Sequence, residues 1–154
     1  MNGWHGGGAV RMRTGRLLIG AVLAGSALAG CASQPASPPA ATSTLPGVGK
    51  VSDAPDGVQQ VTIQTQDNYV FTPRQFTVKP GRVRLTVVNT ATQLTHNFRF
   101  TPGTGPEVIP EGVSLLAPGD RKTIDFTVTK AGAYPFECSF HIQLGQVGTM
   151  TVSR

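Results

Sequence analysis

The sequence predicts an all-β domain, a small β-sandwich of seven to eight strands, and three observations carry that prediction. Only 14% of the 154 residues are charged, while glycine and proline together number 31. Helical bundles need Glu, Lys and Arg on their outer faces, so this balance suits short strands joined by turns. Apolar and polar residues alternate with period two in several places beyond residue 60, and no segment there keeps a 3.6-residue period. Proline-glycine pairs punctuate the alternating segments at turn positions.

The elements follow in order. Strands are predicted at 61–64 and 75–78. At 83–87, Val83, Leu85 and Val87 alternate with Arg84 and Thr86. Phe98 and Phe100 flank Arg99, and at 124–128 Ile124, Phe126 and Val128 alternate with Asp125 and Thr127. A further strand is expected at 133–138, and Met150 and Val152 flank Thr151 in the last. Lys79-Pro80-Gly81-Arg82 and Ala117-Pro118-Gly119-Asp120 both read as type II turns, with proline pre-setting the first φ and glycine accepting the positive one. Residues 101–111, with three prolines and two glycines, read as a long irregular connection. All seven Phe and both Tyr lie between Tyr69 and Phe140, so the core is built from about residue 60 onwards.

Three segments are expected: a signal peptide at 1–30, a tether at 31–59 and the domain at 60–154. Arg11, Arg13 and Arg16 precede an apolar run from Leu17 to Ala29, too short to span a bilayer comfortably. The run ends Leu28-Ala29-Gly30-Cys31, which resembles the lipobox of bacterial lipoproteins and implies lipidation of Cys31. More than one acyl chain there would anchor the protein stably to a membrane. There is no adjacent Arg-Arg pair to indicate a twin-arginine route. Trp4, His5 and Gly6-Gly7-Gly8 are unlike a signal, so translation is expected to start at Met12. After Cys31 the chain is rich in Pro, Ser, Ala, Thr and Gly, a composition that cannot offset its ordering entropy, and it reads as a flexible tether to residue 59. The formal net charge of +5 owes three arginines to the signal. Ten basic side chains against eight acidic ones leave about +2 for the remainder.

Within the domain, the histidine and cysteine side chains reduce to His96, His141 and Cys138. Cys138 and His141 are three apart, just after a predicted strand; His96 opens another. One thiolate and two imidazoles from neighbouring strand ends suit copper: the thiolate holds Cu(I), the imidazoles hold Cu(II), and an intermediate geometry lowers reorganisation on electron transfer. A weak axial ligand is expected a few residues beyond His141. Structural zinc takes the same Cys-His-His donors. A Cys31–Cys138 disulfide is disfavoured by lipidation and by the long tether.

Over residues 60–154 the sequence resembles the cupredoxins, the plastocyanin-like blue copper proteins. The resemblance rests on Asn68-Tyr69-Val70-Phe71-Thr72-Pro73 and Val78-Lys79-Pro80-Gly81 as opening strands, and on His96-Asn97-Phe98 as the first-histidine motif. Tyr134-Pro135-Phe136-Glu137-Cys138-Ser139-Phe140-His141 and Val147-Gly148-Thr149-Met150-Thr151-Val152 match the closing loop and strand. It implies a Greek-key sandwich with one mononuclear type 1 copper ion held by His96, Cys138 and His141. It also implies that Asn97, together with Ser139, ties the two ligand loops, with a backbone N–H near the sulfur. The family usually has methionine where this chain has Gln146. Stellacyanin-like members use an axial glutamine, so Gln146 is the expected fourth ligand, with a lower reduction potential than a Met-ligated relative. Met150 competes for that role but falls on the alternating face with Val152 and reads as core. Phe140, Ile142 and Leu144 surround His141; the resemblance implies a patch where partners dock, and simple core packing is the other reading.

The functional expectation is a membrane-anchored, extracytoplasmic one-electron carrier, Cu(II) to Cu(I) and back, monomeric and without a small-molecule substrate. Electrons would pass through His141, with Cys138 coupling copper to the interior. The alternative is a copper-binding or copper-delivery lipoprotein; the single methionine beyond the signal, Met150, weakens it. A binuclear copper centre needs two loop cysteines, and multicopper oxidases and copper nitrite reductases need many more histidines, so an enzyme is not expected. No basic aromatic stripe points to nucleic acid. The redox partners are not legible.

Overall fold

The computed structural model describes residues 45–154. The signal, Cys31 and the tether up to residue 44 lie outside the described residues. In chain order the strands are β1 (Ser52–Asp53), β2 (Gln59–Thr65), β3 (Phe71–Thr72), β4 (Gln75–Val78), β5 (Gly81–Asn89), β6 (His96–Phe100), β7 (Gly112–Leu116), β8 (Arg121–Val128), β9 (Gly132–Glu137) and β10 (Val147–Val152). A 3-10 turn at Ile142–Leu144 interrupts the last connection. Eight of the strands have four or more residues, against the seven to eight expected; β1 and β3 are two-residue additions.

The strands form two sheets, as the sandwich prediction requires. One runs β1-β2-β5-β8 with β3 paired to β2; the other runs β4-β10-β9-β6-β7. Both are mixed, because β2 lies parallel to β5 and β4 parallel to β10. The connections β3–β4, β4–β5, β5–β6, β7–β8 and β8–β9 all pass from one sheet to the other.

Period two sets the layers. In β5, Val83, Leu85 and Val87 are buried while Arg82 and Arg84 face solvent. The outward Arg84 pairs with Asp125 directly opposite on β8, Nε to Oδ1 at 2.7 Å. The inner faces meet in an aromatic cluster. Phe71 stands edge-on to Phe98 and Phe136, with centroids 5.9 and 5.4 Å away, and Phe100 meets Phe126 across the two sheets at 5.3 Å. Such pairs add about 0.5–1.5 kcal/mol each beyond the area they bury. Met150 is fully buried in this core. Its neighbour Gly148 is obligatory, since a Cβ there would collide with the Phe136 ring and the Arg74 carbonyl.

Three features depart from the sequence reading. The turn at 117–120 is as predicted, with Gly119 at φ +83° and Asp120 N donating to Ala117 O at 3.0 Å. The one at 79–82 is not a type II turn: Gly81 has φ +139° and already belongs to β5. The chain changes sheets there, and the Gln59 side chain takes over the bonding, accepting from Lys79 N at 2.6 Å and donating to Lys79 O at 2.8 Å. Residues 45–59, read as tether, are partly built into the domain. Gly49 N donates to Thr62 O at 2.8 Å, β1 pairs with β2, and Val51 packs on the core. Main-chain bonds fix this stretch, so its small side chains do not announce it. Strand β7 was not expected either. Its pairing with β6 shifts between His96 and Phe98, which leaves Ser114 and the apolar Leu115 both exposed and breaks the alternation.

Candidate metal centre

Four side chains converge at one end of the sandwich. His96 opens β6, Cys138 follows β9, and His141 and Gln146 flank the 3-10 turn that leads to β10. The loop between Cys138 and Gln146 is tied at its base by Cys138 N to Gln146 O at 3.0 Å. Within it His141 N donates to Cys138 O at 3.1 Å and Gln146 N to His141 O at 3.3 Å. Gly145, at φ +81°, turns the chain back after the 3-10 turn, a conformation that suits glycine. Backbone bonds, rather than the ligating side chains, therefore hold the loop's shape.

The donor atoms of His96, Cys138 and His141 all lie within 4.8 Å of one another. His96 Nδ1 is 3.2 Å from His141 Nδ1 and 4.0 Å from Cys138 Sγ, and Cys138 Sγ is 3.5 Å from His141 Nδ1. Gln146 Oε1 sits 2.9 Å from His96 Nδ1 and 3.0 Å from His141 Nδ1. Donors each about 2.0–2.3 Å from one small cation are separated by distances of this order.

The surroundings prepare these atoms for a cation. His96 Nε2 lies 3.1 Å from the Gln66 carbonyl oxygen, which can only accept. In the neutral ring the proton is therefore on Nε2 and the Nδ1 lone pair faces the cluster. Burial, with His141 adding to it, pushes the His96 pKa below its ordinary value and so favours the neutral ring, although bonds to Gln146 and Gln66 oppose the shift. Gln146 is fully buried; its Nε2 donates to Thr65 Oγ1 at 2.6 Å, which aims Oε1 at the histidines. A thiol and two imidazoles are the mixed soft and borderline donors that suit copper, and the amide oxygen adds a harder one. The residues fit one mononuclear copper ion.

Asn97 bridges the segments that carry His96 and Cys138. Its backbone N–H points at Cys138 Sγ at 3.4 Å, its Nδ2 donates to Ser139 Oγ at 2.6 Å, and its Oδ1 accepts from Ser139 N at 2.7 Å. Phe140, Ile142 and Leu144 are exposed, at 51, 38 and 58%, which rules out the core-packing reading. Met150 belongs to the core.

Other contributors were not anticipated. The Gln66 carbonyl and the Thr65 hydroxyl orient two of the converging side chains. Tyr69 stands edge-on to His141 at 5.0 Å. Asp67 accepts from Thr92 N, Thr92 Oγ1, Gln93 N and Leu94 N at 2.7–3.1 Å, fixing the turn that leads into His96. The Thr92 bonds lead in holding its pKa down at about 2. A main-chain carbonyl leaves no trace in residue identities, and Asp67 reads as an ordinary turn residue.

Solved structures with the same fold include a dithionite-reduced auracyanin from the photosynthetic bacterium Roseiflexus castenholzii, 27% identical, with a TM-score of 0.55 over 62% of this chain and 97% of that one. Auracyanin B, 20% identical, has a TM-score of 0.54 over 70% of this chain and 97% of its own. Auracyanin A from Chloroflexus aurantiacus, described as a blue copper protein, is 19% identical with a TM-score of 0.53, covering 63% and 100%. No curated protein sequence matches the chain. The family model of the cupredoxin-like domain matches residues 40–152, well over half of the sequence. With the two-sheet fold and the converging donors, that match makes this chain a member of the cupredoxin-like family.

Proposed function

We propose that this protein is a type 1 copper protein that carries single electrons outside the cytoplasm, tethered to a membrane through lipidated Cys31. The observation that carries the reading is the convergence of His96 Nδ1, His141 Nδ1, Cys138 Sγ and Gln146 Oε1 on one position. Bound copper would supply a one-electron change between Cu(II) and Cu(I). His96, Cys138 and His141 would hold it, with Gln146 as the weaker axial donor. The amide oxygen is a harder donor than a thioether and favours Cu(II), so a low potential for the family is expected.

The chain's own residues set the conditions for transfer. The bonded loop and the Asn97–Ser139 pair would hold the donors in place whichever oxidation state the copper had, which would limit reorganisation. His141 is only half-buried and lies among the exposed Phe140, Ile142 and Leu144. An apolar rim lets a redox protein approach closely without stripping water from charges. The auracyanin likeness supports a carrier over an enzyme. Membrane attachment rests on the basic and apolar N-terminal run ending at Cys31. Mass spectrometry of the N-terminal peptide of the membrane fraction should find Cys31 acylated; an unmodified cysteine there would remove the anchor from the proposal. Copper titration followed by visible absorption tests the copper reading, and reversible voltammetry with fast exchange then separates a carrier from a copper-delivery protein.

A further inference from the structure

Among the described residues only one carboxylate is buried: Glu137, 2% exposed, directly before Cys138. Its Oε1 accepts from Arg99 Nε at 2.9 Å and Arg99 Nη2 at 2.6 Å, and its Oε2 accepts from Thr101 Oγ1 at 2.9 Å. Its main chain lies opposite Arg99 of β6 on one side and Val147 of β10 on the other. The strands next to His96, Cys138 and Gln146 therefore meet at this residue. The β6–β9 pairing is short, covering only Arg99 with Glu137 and Phe100 with Phe136.

Stability alone explains this arrangement poorly. A buried ion pair repays its desolvation at best narrowly, and apolar side chains of similar volume usually serve as well. Here the pair has one member in the interior and one, Arg99, half exposed. Water and salt screen the arginine more than the carboxylate. The Glu137 carboxylate thus stands one residue along the chain from Cys138, with the Arg99 guanidinium on its outer side.

We propose that Glu137 is a positioning residue that sets the reduction potential of the centre, its charge favouring the more positive oxidation state and Arg99 offsetting part of that effect. The inference rests on the copper reading above. Glu137→Gln preserves the shape, since the amide keeps an acceptor for Arg99 and offers a donor to the Thr101 hydroxyl. It removes the negative charge and leaves Arg99 uncompensated. Arg99→Gln does the reverse, from an exposed position where folding is less at risk.

The test is voltammetry of the copper-loaded full chain at neutral pH, the electrode supplying the electron that reduces Cu(II) to Cu(I), alongside thermal unfolding of the metal-free protein. The potential should rise in Glu137→Gln and fall in Arg99→Gln, while the unfolding midpoint drops in both. Shifts of the same sign, or unmoved potentials beside lowered midpoints, would mean a purely structural clasp and overturn the proposal. If Glu137→Gln does not fold, Arg99→Gln decides alone: a potential that stays or rises overturns it. A wild-type protein without a thiolate-to-copper absorption band would instead sink the copper reading on which the proposal stands.

Discussion

Asn97 and Ser139 are joined by two hydrogen bonds, Ser139 N to Asn97 Oδ1 at 2.7 Å and Asn97 Nδ2 to Ser139 Oγ at 2.6 Å. One residue follows His96 and the other follows Cys138, so the pair ties the two halves of the metal centre at their closest approach. Asn97 is buried, and each bond lost from such a pair is worth about 0.5–1.5 kcal/mol. Asn97→Ala should therefore destabilise the metal-free protein by about 1–3 kcal/mol in urea unfolding. Wild-type stability in that variant would remove the clasp from the account.

Gln146, as the proposed axial donor, gives a prediction with a definite sign. Gln146→Met replaces an amide oxygen by a thioether, which favours Cu(I), and the reduction potential should rise. A tenfold change in relative affinity for the two oxidation states is about 59 mV for a one-electron couple, and a rise of at least that size is expected in voltammetry. The variant also loses the bond to Thr65, so its unfolding midpoint should fall. An unchanged potential would take Gln146 out of the copper site.

Acid stability should report on the far end of the fold. Glu107 accepts from Thr129 N at 2.6 Å, Lys130 N at 3.2 Å, Thr129 Oγ1 at 2.9 Å and Tyr134 OH at 3.1 Å, tying the long 101–111 connection to the β8–β9 turn. These bonds, led by the Thr129 amide, hold its pKa at about 2, against an ordinary value of 4.5. A depressed carboxylate stabilises the fold fully above its unfolded pKa, and that contribution is lost as pH falls through the folded one. Glu107→Gln should be less stable than wild type at pH 7, and the difference should shrink between about pH 4.5 and 2. A difference independent of pH across that window would contradict this role. Burial, with the Glu107 contact adding to it, pushes Tyr134 up to about 12, so its phenol stays protonated throughout.

Much of this was legible in the sequence because the chain is poor in alternatives. With two histidines and one cysteine beyond the tether's start, Cys138 and His141 three apart could be matched only with His96, and the structure brings all three together. Gln146 came from the resemblance alone, as the residue standing where the family usually has methionine; the structure puts its Oε1 2.9 Å from His96 Nδ1. Strands β4, β5 and β8 showed themselves because one face of each is buried and the other wet. Strand β7 escaped because its irregular register leaves Leu115 in solvent. Residues 45–58 escaped because main-chain bonds, not side chains, fix them. The turn at 79–82 was misread because a Pro-Gly pair fixes dihedral preferences but not whether the chain folds back or changes sheets. The burial of Glu137 was likewise invisible, since it depends on Arg99 in β6 and Thr101 just after it, nearly forty residues earlier.

Cys138, His96 and His141 are expected to hold one copper ion, with Cys138 as the thiolate donor. Titration of the metal-free protein with Cu(II), followed by visible absorption and EPR, tests it most directly. An intense thiolate-to-copper band saturating at one equivalent, with a small copper hyperfine splitting and loss of the band in Cys138→Ser, is the predicted result. A colourless protein that takes up zinc in preference to copper would contradict it.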